Sequence, residues 1–165
     1  MTLPSPDLLQ SDDERFMVEA LKQAWKAFAA GEVPVGAVIV HDGRVIARAY
    51  NQVELLQDAT AHAEMLVIGS AAQALSGWRL EGCTLYSTLE PCCMCAGALF
   101  LSRVSRLVWG APDIRHGANG SFIDVFSLTH PIHNVEVTKN VLREWCSLPM
   151  QQFFKKQRNQ RSDSI

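Results

Sequence analysis

The sequence predicts an α/β fold in three layers, with a mixed five-stranded sheet between helices on both faces. Three observations lead there. A helical apolar period opens the chain, a valine-rich hairpin follows it, and from about residue 61 helix and strand patterns alternate, as crossovers between parallel strands require.

Residues 1–10, with Pro4 and Pro6, read as a loose leader. Ser11 before Asp12, Asp13 and Glu14 is a helix start, and Phe16, Met17, Ala20, Leu21, Ala24 and Phe28 recur at helical spacing until Gly31 ends the run. Pro34–Val40 is a continuous apolar strand; His41-Asp42-Gly43-Arg44 turns it into a second strand, Val45–Tyr50. After a polar loop, the pattern predicts a helix over Ala61–Leu75, a strand over Cys83–Ser87, a helix over Pro91–Leu101 and a strand over Arg106–Trp109. A loop rich in Gly and Asp (Gly110–Gly120), a strand at Asn134–Thr138 and a closing helix from about Asn140 complete the pattern. Pro149 falls inside that helix and predicts two segments meeting near Leu148.

With 165 residues, 48% hydrophobic and 19% charged, the expectation is one globular domain over 1–165, large enough to bury a core without disulfide staples. Five cysteines, three crowded at Cys92, Cys93 and Cys95, do not read as a disulfide framework and suit a reducing compartment. The first residues show neither a basic leader nor an apolar stretch, so a cytoplasmic protein without membrane spans is expected. A net charge of −2 does not advertise nucleic-acid binding for the chain as a whole, but Lys155, Lys156, Arg158 and Arg161 make the 155–165 tail basic, as a solvated helix face or as a phosphate contact.

Two segments carry the chemistry: His62-Ala63-Glu64 and Pro91-Cys92-Cys93-Met94-Cys95, each opening a predicted helix beside a strand end. Cys92 and Cys95, three apart, share a helix face and can hold one ion, whereas Cys93 points elsewhere and is expected to be a packed thiol. A helix N-terminus favours the thiolates that bind zinc. With His62 the set has three protein ligands, the catalytic number, leaving one position for a water whose pKa the ion lowers to about 7. Glu64 is the expected general acid and base. Residues two apart do not share a face of a regular helix, so the first turn must be irregular for His62 and Glu64 to converge. Two other readings stand beside this one: a structural zinc site completed by Cys83 or His116, and a redox pair at Cys92 and Cys95.

His-x-Glu followed by Pro-Cys-x-x-Cys is the signature of zinc deaminases that act on cytosine C4 or adenine C6. From about Glu14 to Arg158 the chain resembles the bacterial tRNA-specific adenosine deaminase family, through VPVGAVIV at 33–40, TAHAEM at 60–65, TLYSTLEPCCMCAGAL at 84–99 and GANGSFIDV at 117–125. The resemblance implies a cytidine deaminase-like fold and conversion of the wobble adenosine of a tRNA anticodon to inosine, by a homodimer with one zinc per subunit. It also implies that His62, Cys92 and Cys95 bind zinc, that Glu64 shuttles protons and that Asn51 contacts the base. Asp113 is implied beside the substrate nucleotide, and Phe153 and Phe154, with Lys155 and Lys156, against the RNA. Backbone amides at Ala63 or Cys93 are expected to meet the charge that develops during the reaction. A deaminase of a free base or nucleoside shares the motif, and a non-catalytic zinc module that binds RNA or protein shares its ligands.

Overall fold

The computed structural model describes the backbone of residues 1–162 and the side chains of residues 1–160; Arg161 of the basic tail therefore has its side chain outside the described residues. Ser11 opens α1 (Asp12–Ala29) with a capping box: its hydroxyl accepts from the Glu14 amide at 3.2 Å, and the Ser11 amide donates to the Glu14 carboxylate at 3.1 Å. The chain then enters β1 (Gly36–His41) and β2 (Arg44–Tyr50), paired antiparallel through a two-residue turn in which Asp42 and Gly43 both take positive φ. A short helix, α2 (Val53–Leu56), interrupts the loop that follows. Then come α3 (Ala63–Ala74), β3 (Thr84–Leu89), α4 (Cys93–Leu101), β4 (Arg106–Ala111), β5 (Glu136–Thr138) and α5 (Arg143–Ser162).

The sheet order is β2-β1-β3-β4-β5. β1 is antiparallel to both neighbours, whereas β3, β4 and β5 run parallel, giving the mixed sheet expected. Alternation along the strands sends their side chains into two cores. Ala37, Ile39, Leu85, Leu107 and Trp109 meet Ala63, Val67 and Ala71 of α3 and Leu99 of α4 on one face. Val38, Val40, Tyr86 and Val108 meet Met17, Ala20 and Leu21 of α1 and Cys146 of α5 on the other. Gly36 lets α1 lie directly on β1, because a Cβ there would run into the backbone of Ala20 and Ala24. The start of α1 is tied across the sheet as well: both Asp13 oxygens accept from Arg106, at 2.8 and 2.7 Å, and one also accepts from the Tyr86 hydroxyl at 2.8 Å.

Two expectations are corrected. The leader is tied down: Pro4 is buried, Pro6–Leu8 form a 3₁₀ turn, and the indole N–H of the buried Trp25 donates to the Thr2 carbonyl at 2.9 Å. Pro149 does not divide the closing helix, since α5 runs unbroken from Arg143 to Ser162. Cys146 on one side of the proline and Phe153 on the other are buried, and Met150 packs against the core. Packing along that length outweighs the roughly 3 kcal/mol that an interior proline costs a helix.

Candidate metal centre and active-site cavity

The site lies where β3 and β4, parallel neighbours, present their carboxyl ends, the usual place for a site in such a sheet. His62 and Cys92 are the N-cap residues of α3 and α4, with extended backbones at φ −73°, ψ 150° and φ −75°, ψ 174°. This explains how His62 and Glu64 can serve one centre: His62 stands outside the helix, so helical periodicity does not separate it from Glu64 in the first turn.

His62, Cys92 and Cys95 come together. The sulfurs of Cys92 and Cys95 are 3.7 Å apart, and the His62 Nδ1 lies 3.7 Å from the first and 3.6 Å from the second. A tetrahedral zinc with arms of about 2.3 Å to sulfur and 2.0–2.1 Å to nitrogen requires edges of roughly 3.8 and 3.6 Å, so the donor set fits that ion. The close contacts couple the protonation of the three groups. The Cys92 thiol is lowered to about 3, chiefly by the hydrogen bond from Cys95 and then by the one with His62. Cys95 is pushed up as the donor in that pair and by burial, and the His62 ring is raised by its bond with Cys92.

Among the described residues no fourth His, Cys, Asp or Glu joins the group. Cys83 is buried in the core facing α3, and His116 is exposed, its ring 3.5 Å from Asp113. The structural-site reading, which required Cys83 or His116 as a fourth ligand, is not favoured by this arrangement, and all described cysteines are free thiols. Cys93 is exposed at the first position of α4, where a packed thiol was expected, because the cap geometry turns only Cys92 and Cys95 inward.

Glu64 is 3% exposed. Burial raises its pKa above the ordinary carboxylate range; its own backbone amide, His62 and a hydrogen bond from Ser87 oppose that rise. The Ser87 hydroxyl, itself fully buried in β3, donates to Glu64 Oε1 at 3.0 Å. Sequence reasoning missed Ser87, because three other hydroxyl residues, Thr84, Tyr86 and Thr88, share its strand and nothing local sets it apart. Asn51, also buried, accepts from the Ala63 amide through Oδ1 at 2.8 Å. That bond commits the Ala63 amide to Asn51 rather than to developing charge, and it fixes which end of the Asn51 amide is left to donate.

His62, Glu64 and Cys92 lie on the floor of a cavity of about 800 Å³ whose lining also includes Asn51, Asp113 and Phe154. Asp113 Oδ1 accepts from the Arg115 and His116 amides at 3.0 and 3.3 Å, an Asx turn that shapes its loop. Phe153 and Phe154 differ. Phe153 is 7% exposed, edge-on to Phe28 of α1 with ring centres 6.1 Å apart, whereas Phe154 is 40% exposed. Lys155, Lys156 and Arg158 are exposed on the last turns of α5, and Arg158 reaches the cavity rim. Glu90, only 1% exposed, was also missed. Its neighbour Pro91 gave a helix start, but its own partners lie 23 to 31 residues away, beyond any local pattern.

A three-layer α/β/α domain with one imidazole and two thiols grouped at paired helix starts, beside a buried carboxylate, defines a metal-dependent hydrolase of the zinc deaminase class. The cytidine and deoxycytidylate deaminase zinc-binding region matches residues 10–111. The tRNA-specific adenosine deaminase of Bacillus subtilis (strain 168) is 49% identical over 151 residues, covering 92% of this chain and 94% of that one. The chloroplastic tRNA(adenine(34)) deaminase of Arabidopsis thaliana is 51% identical over 86% of this chain, which spans only 12% of that longer protein. A solved structure from a study of A-to-I editing by tRNA:A34 deaminases at the wobble position superposes with a TM-score of 0.78 at 44% identity, covering 82% of this chain and 98% of that one. The chain belongs to the zinc-binding deaminase family and, within it, to the tRNA-specific adenosine deaminases. Among the described residues no helix is long and apolar enough to cross a membrane.

Proposed function

We propose that this protein hydrolyses the exocyclic amine of the wobble adenosine in a tRNA anticodon, yielding inosine and ammonia, as a cytoplasmic homodimer of single-domain subunits with one zinc each. The observation that carries the reaction type is the trio of donors, spaced as a tetrahedral ion requires, two of which line the same cavity as Glu64. The substrate rests on the names of relatives that match nearly the whole chain.

His62, Cys92 and Cys95 would hold the ion, which supplies Lewis-acid activation of water at neutral pH. Glu64 takes a proton from the attacking water and passes it to the ring nitrogen beside C6; it then carries the remaining proton, from the hydroxyl on C6, to the departing amine, as the new C6–O bond replaces the C6–N bond. Ser87 holds the carboxylate in one orientation. Asn51, its oxygen fixed by Ala63, offers its amide N–H₂ to an acceptor on the purine edge. Phe154 stacks on an unpaired base of the anticodon loop, with Phe153 beneath it as support, and Asp113 shapes the facing wall.

Incubation of the zinc-loaded protein with an anticodon stem-loop carrying a wobble adenosine, and separately with free adenosine, cytidine and guanine, tests the assignment. Inosine is expected in the stem-loop alone; turnover confined to the free compounds would reject it. Light scattering should give twice the chain mass.

A further inference from the structure

Glu90 plays no part in the chemistry above, yet it is a carboxylate buried at the junction between β3 and the Cys92 turn. Burying a carboxylate is costly unless its lone pairs are filled. Among the described residues, its hydrogen-bond donors come from one loop, the segment after β4. Oε2 accepts from the Asp113 amide at 3.1 Å and from the Ser121 hydroxyl; Oε1 accepts from the Asn119 amide at 2.8 Å and the Ser121 amide at 3.2 Å. The loop is wound tightly around this group. A Cβ on Gly117 would lie 2.5 Å from Glu90 Cδ, so only glycine fits. The Ala118 amide donates to the Pro91 carbonyl at 2.8 Å, stitching the same loop to the turn that carries Cys92.

We propose that Glu90 is a positioning residue, setting the distance between the substrate-facing wall at Asp113–His116 and the metal-binding floor. A single side chain gathers the amides of residues eight positions apart and refers them to the residue two before Cys92. The wall thus keeps one register over the floor, whatever the mobility of the exposed stretch beyond Ser121. The kinetic half of this proposal rests on the deaminase reading; the anchoring half does not.

Glu90→Gln tests both. Glutamine has nearly the same shape but turns one acceptor into a donor, which then faces the loop's N–H groups. In the zinc-loaded variant, hydrogen exchange at the Asp113, Asn119 and Ser121 amides should accelerate about tenfold or more while α3 and α4 are unchanged. With the stem-loop, KM should rise about tenfold, with kcat within about threefold and zinc content unaltered, the signature of lost binding rather than lost chemistry. Ser121→Ala removes a single donor and should give a smaller change of the same sign, which keeps the test alive if the glutamine variant does not fold. Unchanged exchange at those amides in both variants would overturn the anchor. Faster exchange with unchanged KM, or loss of kcat together with zinc, would overturn the positioning role. A wild-type protein inactive on the stem-loop would reject the deaminase assignment, while the exchange measurement still decides the anchor.

Discussion

The floor and the rim of the cavity are assembled by different means. His62, Glu64, Cys92 and Cys95 stand on two helix starts, each within a turn of a cap and both resting on the same face of the sheet. Asn51, Asp113 and Phe154 come from a strand end, a loop and the closing helix; hydrogen bonds to residues 12 and 23 positions away hold the first two, and Phe154 lies edge-on to Phe153, itself packed against Phe28 of α1. Within each floor motif the geometry comes from local backbone, whereas the meeting of the two motifs and the placing of the rim come from tertiary contacts. The expected consequence is a division of labour, in which floor variants abolish turnover and rim variants weaken binding.

The sharpest test of the floor is Glu64→Ala, for which kcat is expected to fall by about 10³ to 10⁴ with one zinc still bound by metal analysis. Cys92→Ala should instead lose the zinc and the activity together; an active, zinc-free Cys92→Ala protein would break the comparison outright. Next in size is the pair on α5. Phe153→Ala should lower unfolding free energy by about 3 kcal/mol in urea titration, because it empties a buried site against Phe28. Phe154→Ala should leave stability within about 0.5 kcal/mol and raise KM for the stem-loop by roughly tenfold. Equal effects from the two would show that α5 is not seated as described.

Asn51→Ala stands between floor and rim, since it strips an acceptor from the buried Ala63 amide. A loss of about 1–3 kcal/mol, read as a ten- to hundredfold fall in kcat/KM, is expected. The smallest effect is expected far from the cavity, at Asp13. Arg106 holds the Asp13 carboxyl below its ordinary pKa through their hydrogen bonds, with Tyr86 adding to the effect. A carboxyl with a depressed folded pKa contributes stability above its unfolded value of about 3.9 and loses it as pH falls through the folded value. Asp13→Asn should therefore cost about 1 kcal/mol at pH 7, discounted for partial exposure, and the gap should close as pH is lowered below about 4. Thermal melts at pH 7 and pH 3 check the sign.

Much of the floor was legible in the chain alone. A cap residue, a ligand three positions later and a carboxylate two positions after a histidine are short-range patterns. So are the helix start at Ser11 and the His41–Arg44 turn, both of which the structure contains. The strand ends were less sharp: β3 extends to Leu89 and β4 to Ala111, past the boundaries the apolar pattern suggested, because pairing between parallel neighbours continues to the lip of the cavity. Ser87 and Glu90 escaped because their roles depend on partners at least 23 residues away.

By itself, then, the sequence marked the hairpin, the helix starts and the two short motifs that carry the candidate donors and Glu64, since each pattern spans about one turn; that the two motifs, 30 residues apart, meet was left to the fold. Tertiary structure alone decided that α5 survives Pro149, that Phe153 faces α1 while its neighbour faces the cavity, that Cys93 is left in solvent, and that a buried glutamate gathers the loop after β4. Those outcomes turn on which surfaces the sheet brings together, and burial against a remote partner can override a local preference worth only a few kcal/mol.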